Sequence, residues 1–542
     1  MRFGRTQFSF ATLVIGAGLL FVGLGHAGPP NGSRDGGTFN LSFGTDRLDY
    51  IDPALAYTGE GWTVLDATCA RLMSYLDKAP PEGLRLVPEV AATPPQVSRD
   101  GKTYTFTLRK GFRFSDGTPV DARAFARSIE RLLAPGVNSA GLPYALPIVG
   151  AAAVRAGTTT NLPGVVATGN RLVVRFTAPV PDFPAQTSMP FFCAVPPTLP
   201  SDPEGVGAIP GSGPYYVTEY VGGKRIVLER NRFYGGVRPH HVDRILVDLG
   251  ASAPTEILDR IESGQADWGI VPPPFYFDPV RGLARKYGVN RSRFFVKPGT
   301  ALRGYYLNAS QPLFRNNLAL RRAVNFAVDR AALARVLGEE SGVPTDQYLP
   351  PSMPGFRDEN IFPLGGPNVR RARELARGHT RSGKAVLWTY DVPSQLAAAQ
   401  VVKRNLKQIG LDVVIKGLPP GALYRKASGP NAAFDIAFGN WLADYVDPYQ
   451  YTNTLFESSF IGGSNVAHFD SPRFDSLMRR AARLQGTARY RAYGDLDVQL
   501  ARDAAPMIAT SFDSQAALVS RRVGCVLFRA GVGLDLPAAC LK

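Results

Sequence analysis

The stretch Pro94–Arg131 (PPQVSRDGKTYTFTLRKGFRFSDGTPVDARAFARSIER) constrains this chain more than any other. Thr103–Leu108 (TYTFTL) alternates β-branched and aromatic residues with polar ones at period two, the pattern of a half-buried strand. Asp100-Gly101 and Asp116-Gly117 supply turns on either side. Asp121 then stands where a helix cap is needed, and Phe125 and Ile129 fall on one face of the helix it starts. Strand, turn, strand, turn and helix in this order form an α/β unit.

The same alternation runs through the rest of the chain. Strands are expected at Gly37–Phe43, Arg171–Phe176, Ile245–Asp248, Ala266–Ile270, Leu302–Asn308, Ala385–Tyr390, Leu411–Ile415 and Phe434–Phe438. A hairpin is expected from Tyr216–Tyr220 and Ile226–Arg230 across Gly222-Gly223. Helices are expected at Val64–Leu76, Thr255–Ser263, Leu318–Leu337, Ser394–Ile409, Asp475–Leu484 and Tyr490–Asp503. Such alternation predicts an α/β protein with mostly parallel sheets. With 542 residues the chain exceeds one core, so two or more lobes are expected. The 56 glycines and 45 prolines, spread along the chain, favour turns and loops over a helical bundle.

The formal charge is +16, and Arg2 and Arg5 contribute two of the positive charges. A basic surface suits nucleic acid, anionic lipid or an acidic wall. The densest cluster, Asn368–Arg381 (NVRRARELARGHTR), reads instead as an exposed helix face with Leu375 turned inward, and no nucleic-acid motif accompanies it. Residues 1–27 have the grammar of a signal peptide. Arg2 and Arg5 form the charged start, Phe10–Gly25 the apolar run, and Gly25-His26-Ala27 the cleavage site. The chain is therefore expected to be exported, to a periplasmic or extracellular position. No cysteine near the cleavage site offers a lipid attachment point. Four cysteines in an exported chain suggest two disulfides. Cys525 with Cys540 is the first choice, which leaves Cys69 with Cys193, although four cysteines allow three pairings.

Catalytic motifs are missing. The chain has no Gly-x-Ser-x-Gly elbow, Ser-x-x-Lys pair, His-Glu-x-x-His, P-loop or Gly-x-Gly-x-x-Gly. Its histidines are few, and none of the cysteines has metal-ligand spacing, so no metal and no cofactor is expected. A pair of catalytic carboxylates would leave no such signature, which keeps an exported hydrolase as a competing reading.

Several blocks along the chain together resemble the family 5 extracellular solute-binding proteins of ATP-driven (ABC) importers for peptides and nickel. They are Ile51–Tyr57 (IDPALAY), Val97–Asp116, Gly211–Tyr216 (GSGPYY), Asn231–Tyr234, Ile261–Asp267 (IESGQAD), Tyr306–Asn308, Leu320–Arg330 (LRRAVNFAVDR) and Trp441–Pro448 (WLADYVDP). The resemblance implies a two-lobe fold of the periplasmic-binding-protein type (type II, with an extra subdomain) and a ligand cleft between the lobes. Lobe one would comprise residues 36–303 plus 498–542, with 60–205 as the extra subdomain, and lobe two residues 304–497. It also implies a monomer that captures a peptide or other small solute and passes it to permease subunits in the membrane. A sensor or chaperone-like receptor with the same fold and no transporter is the competing role.

The resemblance further implies where ligand sits. In peptide-binding members an aspartate within Trp-x-x-Asp accepts the ligand ammonium, and here Trp441 and Asp444 hold those positions, with Tyr445 beside them. Asp444 as a helix cap is the plainer alternative, and for Asp447 a cap or turn role is preferred. The loop Tyr57-Thr58-Gly59 would touch ligand through backbone groups. Tyr390 and Asp391 lie where dipeptide binders carry a carboxylate-gripping arginine; none stands there, so Asp391 beside Asp444 would favour a cationic or amine-bearing solute, with Arg303 a substitute clamp.

Overall fold

The computed structural model describes residues 33–44, 47–251, 253–269, 279–429, 432–529 and 532–542. The signal segment expected at residues 1–27 lies outside them, as does Ile270, the last residue of the expected strand Ala266–Ile270.

The opening α/β unit folds as its pattern dictates. Thr103–Thr107 pairs antiparallel with Gln96–Val97 on one side and Arg171–Arg175 on the other, and Val165–Thr168 completes a four-stranded sheet. Helix Ala122–Leu133 covers it, with Phe125 and Ile129 buried and the Asp121 carboxylate accepting from the Arg123 amide at 2.9 Å. Tyr104, Phe106, Phe176 and Phe183 meet edge to face within this core.

Two larger sheets anchor the lobes. In the first, Thr38–Gly44 runs parallel to Arg244–Ala251 and to Trp268–Gly269, and the hairpin Tyr215–Val221/Arg225–Arg230 extends it antiparallel. In the second, Lys384–Tyr390 runs parallel to Asp412–Leu418 and Ile436–Trp441, and Phe294–Leu307, Met507–Leu518 and Gly342–Pro344 join antiparallel. The expectation of mostly parallel sheets is thus corrected: both sheets are mixed, and the four-stranded sheet is antiparallel throughout. A short hairpin loop can only return the chain antiparallel, and two long strands that run between the lobes do the same.

Those two strands explain the architecture. Phe294–Leu307 and Met507–Leu518 pair along their length, from Phe294 opposite Leu518 to Tyr306 opposite Met507. Phe294 and Leu518 belong to a core with Ala251, Ile257 and Ile261, whereas Leu302, Tyr306, Met507 and Phe512 belong to another with Tyr348 and Tyr451. Each strand therefore starts in one hydrophobic core and ends in another.

Two helices depart most from expectation. The helix expected at Val64–Leu76 spans Gly59–Thr68. Thr58 caps it through a bond from the Gly61 amide, and Cys69 leaves it extended to reach its disulfide partner. The long helix expected at Leu318–Leu337 is two, Leu318–Ala327 and Arg330–Leu337, because Val328 turns extended and the Asp329 carboxylate caps the second from the Ala332 amide at 2.8 Å. In the basic segment, helix Val369–Ala376 buries Ala372 and Ala376, while Leu375 is half-buried.

Asp497 gives this fold a predicted pH dependence. Its carboxylate is fully buried and accepts from the Tyr348 amide at 2.9 Å, the Leu349 amide at 3.3 Å and Gln347 Nε2 at 3.0 Å. Burial outweighs these bonds and pushes its carboxyl up to about 7. A raised folded value means a contribution to stability that is full below the unfolded value of about 4. That contribution is lost as pH rises through about 7. Urea unfolding at pH 5 and pH 8 should therefore show a smaller pH slope in Asp497→Asn than in the parent, by at most about 1.4 kcal/mol per pH unit. An unchanged slope would contradict this reading.

A cavity between the lobes

A cavity of about 260 Å³ opens where the chain segments 57–66 and 442–446 face each other. Helix Gly59–Thr68 lies along one wall. Gly59, Trp62, Thr63 and Asp66 all line the cavity, the i, i+3, i+4, i+7 spacing of one helical face. Asp49 fixes the approach to this helix. Its carboxylate accepts from the amides of Tyr57 at 2.6 Å and Thr58 at 3.1 Å and from the Thr58 hydroxyl at 2.7 Å. The carbonyls of Thr58 and Gly59 accept from the Trp62 amide and the Thr63 hydroxyl. Much of the backbone of Tyr57-Thr58-Gly59 is thus engaged within the protein, and Tyr57 contributes its phenol.

That phenol meets Asp444. Tyr57 donates to Asp444 Oδ1 at 2.8 Å, and Tyr144, from the extra α/β unit, donates to Oδ2. Burial, and then the carboxylate itself, push both phenols well above the ordinary tyrosine value. They are therefore neutral donors across the physiological range. Asp444 does not cap a helix. Asp447 does: it accepts from the Tyr449 amide at 2.9 Å at the start of Pro448–Tyr451, and Arg489 grips it at 2.7 and 2.8 Å. So paired, the buried Asp447 is neutralised locally, while Asp444 faces phenols and the cavity.

The rest of the 442–446 segment is tied across the cleft. The buried Tyr445 donates to Asp182, and Tyr75 donates to the Val446 carbonyl at 2.9 Å. Asp182, with burial as the main cause, is pushed above the usual carboxylate range. Trp62 packs edge-on to Tyr57 and Phe191, at 6.0 and 5.6 Å between ring centres, and Met189 and Pro190 complete the apolar wall.

Of the residues expected to bind ligand, Tyr57, Thr58, Gly59, Asp444 and Tyr445 line this cavity. Trp441, Tyr390 and Asp391 do not. Trp441 sits opposite Leu302 in the sheet and packs half-buried on the second-lobe core. The Tyr390 ring packs on Phe438 at 5.1 Å, between two cores. Asp391 is exposed at the far end of its strand, where its amide donates to the Leu418 carbonyl. Arg303 is buried outside the cavity and donates to the Ser341 carbonyl at 2.9 Å. The sequence reading missed Tyr144, for which no local signal exists. It also missed Trp62 and Asp66, whose spacing from Gly59 becomes visible once Thr58 is placed as the cap.

Both expected disulfides are formed. Cys69–Cys193, with Cα atoms 5.6 Å apart, ties the end of the cavity helix to the wall carrying Met189 and Pro190. Cys525–Cys540, at 4.9 Å, closes the loop that carries Arg529.

Residues 85–463 match the bacterial extracellular solute-binding proteins, family 5. The chain belongs to this family. It is 27% identical to the probable D,D-dipeptide-binding periplasmic protein of Escherichia coli, over 84% of this chain and 85% of that one. It is also 27% identical to the periplasmic oligopeptide-binding protein of the same organism, over 79% of each. Among solved structures, the clavulanic acid biosynthesis oligopeptide binding protein 2 superposes with a TM-score of 0.82 at 24% identity, covering 94% of this chain and 96% of that one. The unliganded open form of a periplasmic murein tripeptide binding protein superposes with a TM-score of 0.75 at 20% identity, covering 94% and 98%. The fold of this family 5 member is accordingly the two-lobe α/β fold with an interlobe cleft. Among the described residues, no helix is long and apolar enough to cross a membrane.

Proposed function

We propose that this family 5 member is the exported solute receptor of an ABC importer, with no catalytic activity of its own. It captures peptides, or another amine-bearing solute, in the interlobe cavity and delivers them to permease subunits. The observation that carries this reading is Asp444. It is a carboxylate on the cavity wall whose protein partners are two neutral phenols and no cation among the described residues. A ligand ammonium supplies the missing charge, and in an enclosed cleft that pairing is strong. Tyr57, Thr58, Gly59 and Tyr445 complete the binding surface around it. Trp441 and Tyr390 act at a distance, through packing of the second lobe, and Asp391 stands exposed outside the cavity. Lobes near residues 36–303 plus 498–542 and 304–497, with 60–205 as the extra subdomain, move as bodies about the paired strands when ligand binds. The names of the related proteins, which include dipeptide and oligopeptide binders, support the same ligand class.

Thermal shift tests the proposal against a library of di- to pentapeptides, amines, sugars and metal chelates. A ligand that binds only the folded chain adds about 2.7 kcal/mol at 100-fold excess over its dissociation constant. The expected result is an upward shift with peptides. A shift with sugars or chelates alone would keep a receptor and discard the peptide class; no shift at all would favour the sensor or hydrolase roles.

A further inference from the structure

Two arginines, Arg71 and Arg529, line the same cavity as Asp444. Asp66, on the last turn of the cavity helix, faces three guanidinium groups. Its Oδ1 pairs with Arg71 Nη1 at 2.8 Å, and its Oδ2 pairs with Arg238 Nη2 at 3.0 Å and with Arg529 Nη2. Arg238 and Arg529 have further acid partners. Asp77 lies 3.8 Å from Arg238 and 3.4 Å from Arg529, Glu89 3.8 Å from Arg238, and Asp535 2.9 Å from Arg529. Arg71 differs. It lines the cavity and is 5% exposed, yet among the described residues Nη1 is its one guanidinium nitrogen with an acceptor, and its Nε is buried with none. A guanidinium has five donors, and leaving them unmet in a buried place is costly.

Resting on the receptor reading above, we propose that Arg71 binds a carboxylate of the ligand. The solute is then a short zwitterion, with its ammonium at Asp444 and its carboxylate at Arg71. Trp62, Met189, Pro190 and Val446 add apolar surface to the same cavity. A volume of about 260 Å³ lies just below the usual range of small-molecule sites, which run from about 300 Å³ upward. This favours di- and tripeptides over long chains.

Calorimetric titration with dialanine and trialanine, each as free acid and as C-terminal amide, tests the proposal. A lost charge-assisted hydrogen bond is worth about 1.5–3 kcal/mol, so the acids should bind roughly 10- to 100-fold more tightly than the amides. In Arg71→Met the preference should vanish while affinity for the amides holds. Equal binding of acid and amide by the unaltered protein would overturn the carboxylate site and leave the receptor reading standing; that comparison needs no variant. A preference that survives Arg71→Met would overturn the role of Arg71. Binding of none of the four would overturn the peptide-receptor reading and this proposal with it.

Discussion

Asp444→Ala should abolish peptide capture while leaving the fold intact. Removing one partner of an enclosed hydrogen-bonded charge pair costs about 2–5 kcal/mol of affinity, roughly 30- to 5,000-fold. The cost falls on binding because the carboxylate is only half-buried and its protein partners are two phenols, one of them on the half-exposed Tyr57. The melting temperature of the unliganded variant should therefore stay within a few degrees of the parent. Asp444→Asn should lose nearly as much affinity, since the amide keeps the shape and drops the charge. Calorimetry on both variants beside the parent checks this. Affinity for an amine ligand that stays within threefold in Asp444→Ala would remove Asp444 from the site.

Asp66→Ala should produce the largest loss of stability of any single substitution at the cavity, about 3–5 kcal/mol, because it leaves buried guanidinium groups uncompensated. Asp66 holds Arg71, Arg238 and Arg529 together, and through Arg529 it holds the disulfide-closed C-terminal loop against the cavity helix. Burial acts to raise its carboxyl, but the three guanidinium groups outweigh burial and keep it far below the usual carboxylate range. With the folded value depressed, the contribution is present above the unfolded value of about 4 and disappears only as pH falls through the lower folded value. Urea unfolding at pH 7 should show the full loss. A difference under 1 kcal/mol would mean that the arginines find other acceptors, Asp77 and Asp535 among them.

Much of this molecule can be read from its residues, and the failures have physical causes. The unit around Thr103–Thr107 and Ala122–Leu133 is legible because period, turn and cap agree there. The cysteine pairs are legible because the closeness of Cys525 and Cys540 in sequence leaves Cys69 and Cys193 to each other. The motif Trp-x-x-Asp singles out Asp444, which lies on the cavity wall. The parallel character of the sheets was overestimated because pairing direction depends on how long strands return between lobes, which no local pattern encodes. Trp441 was placed in the cleft because its strand ends there; in the sheet its side chain packs on the core instead, and the following residues form the cavity wall. Tyr144, 300 residues away in sequence, reaches Asp444 only through the packing of the extra unit against the second lobe. Arg71 and Arg529 could not be distinguished by sequence from the many surface arginines of a strongly basic chain.

The most direct test of the central claim is to titrate the unaltered protein with one peptide, trialanine, in its free form and in its N-acetylated form. Acetylation removes the ammonium charge and leaves the rest of the ligand in place. The account predicts at least about tenfold weaker binding of the acetylated peptide, the loss of a charge-assisted hydrogen bond. Equal affinity for the two forms would mean that no ammonium is held at Asp444, and would contradict it.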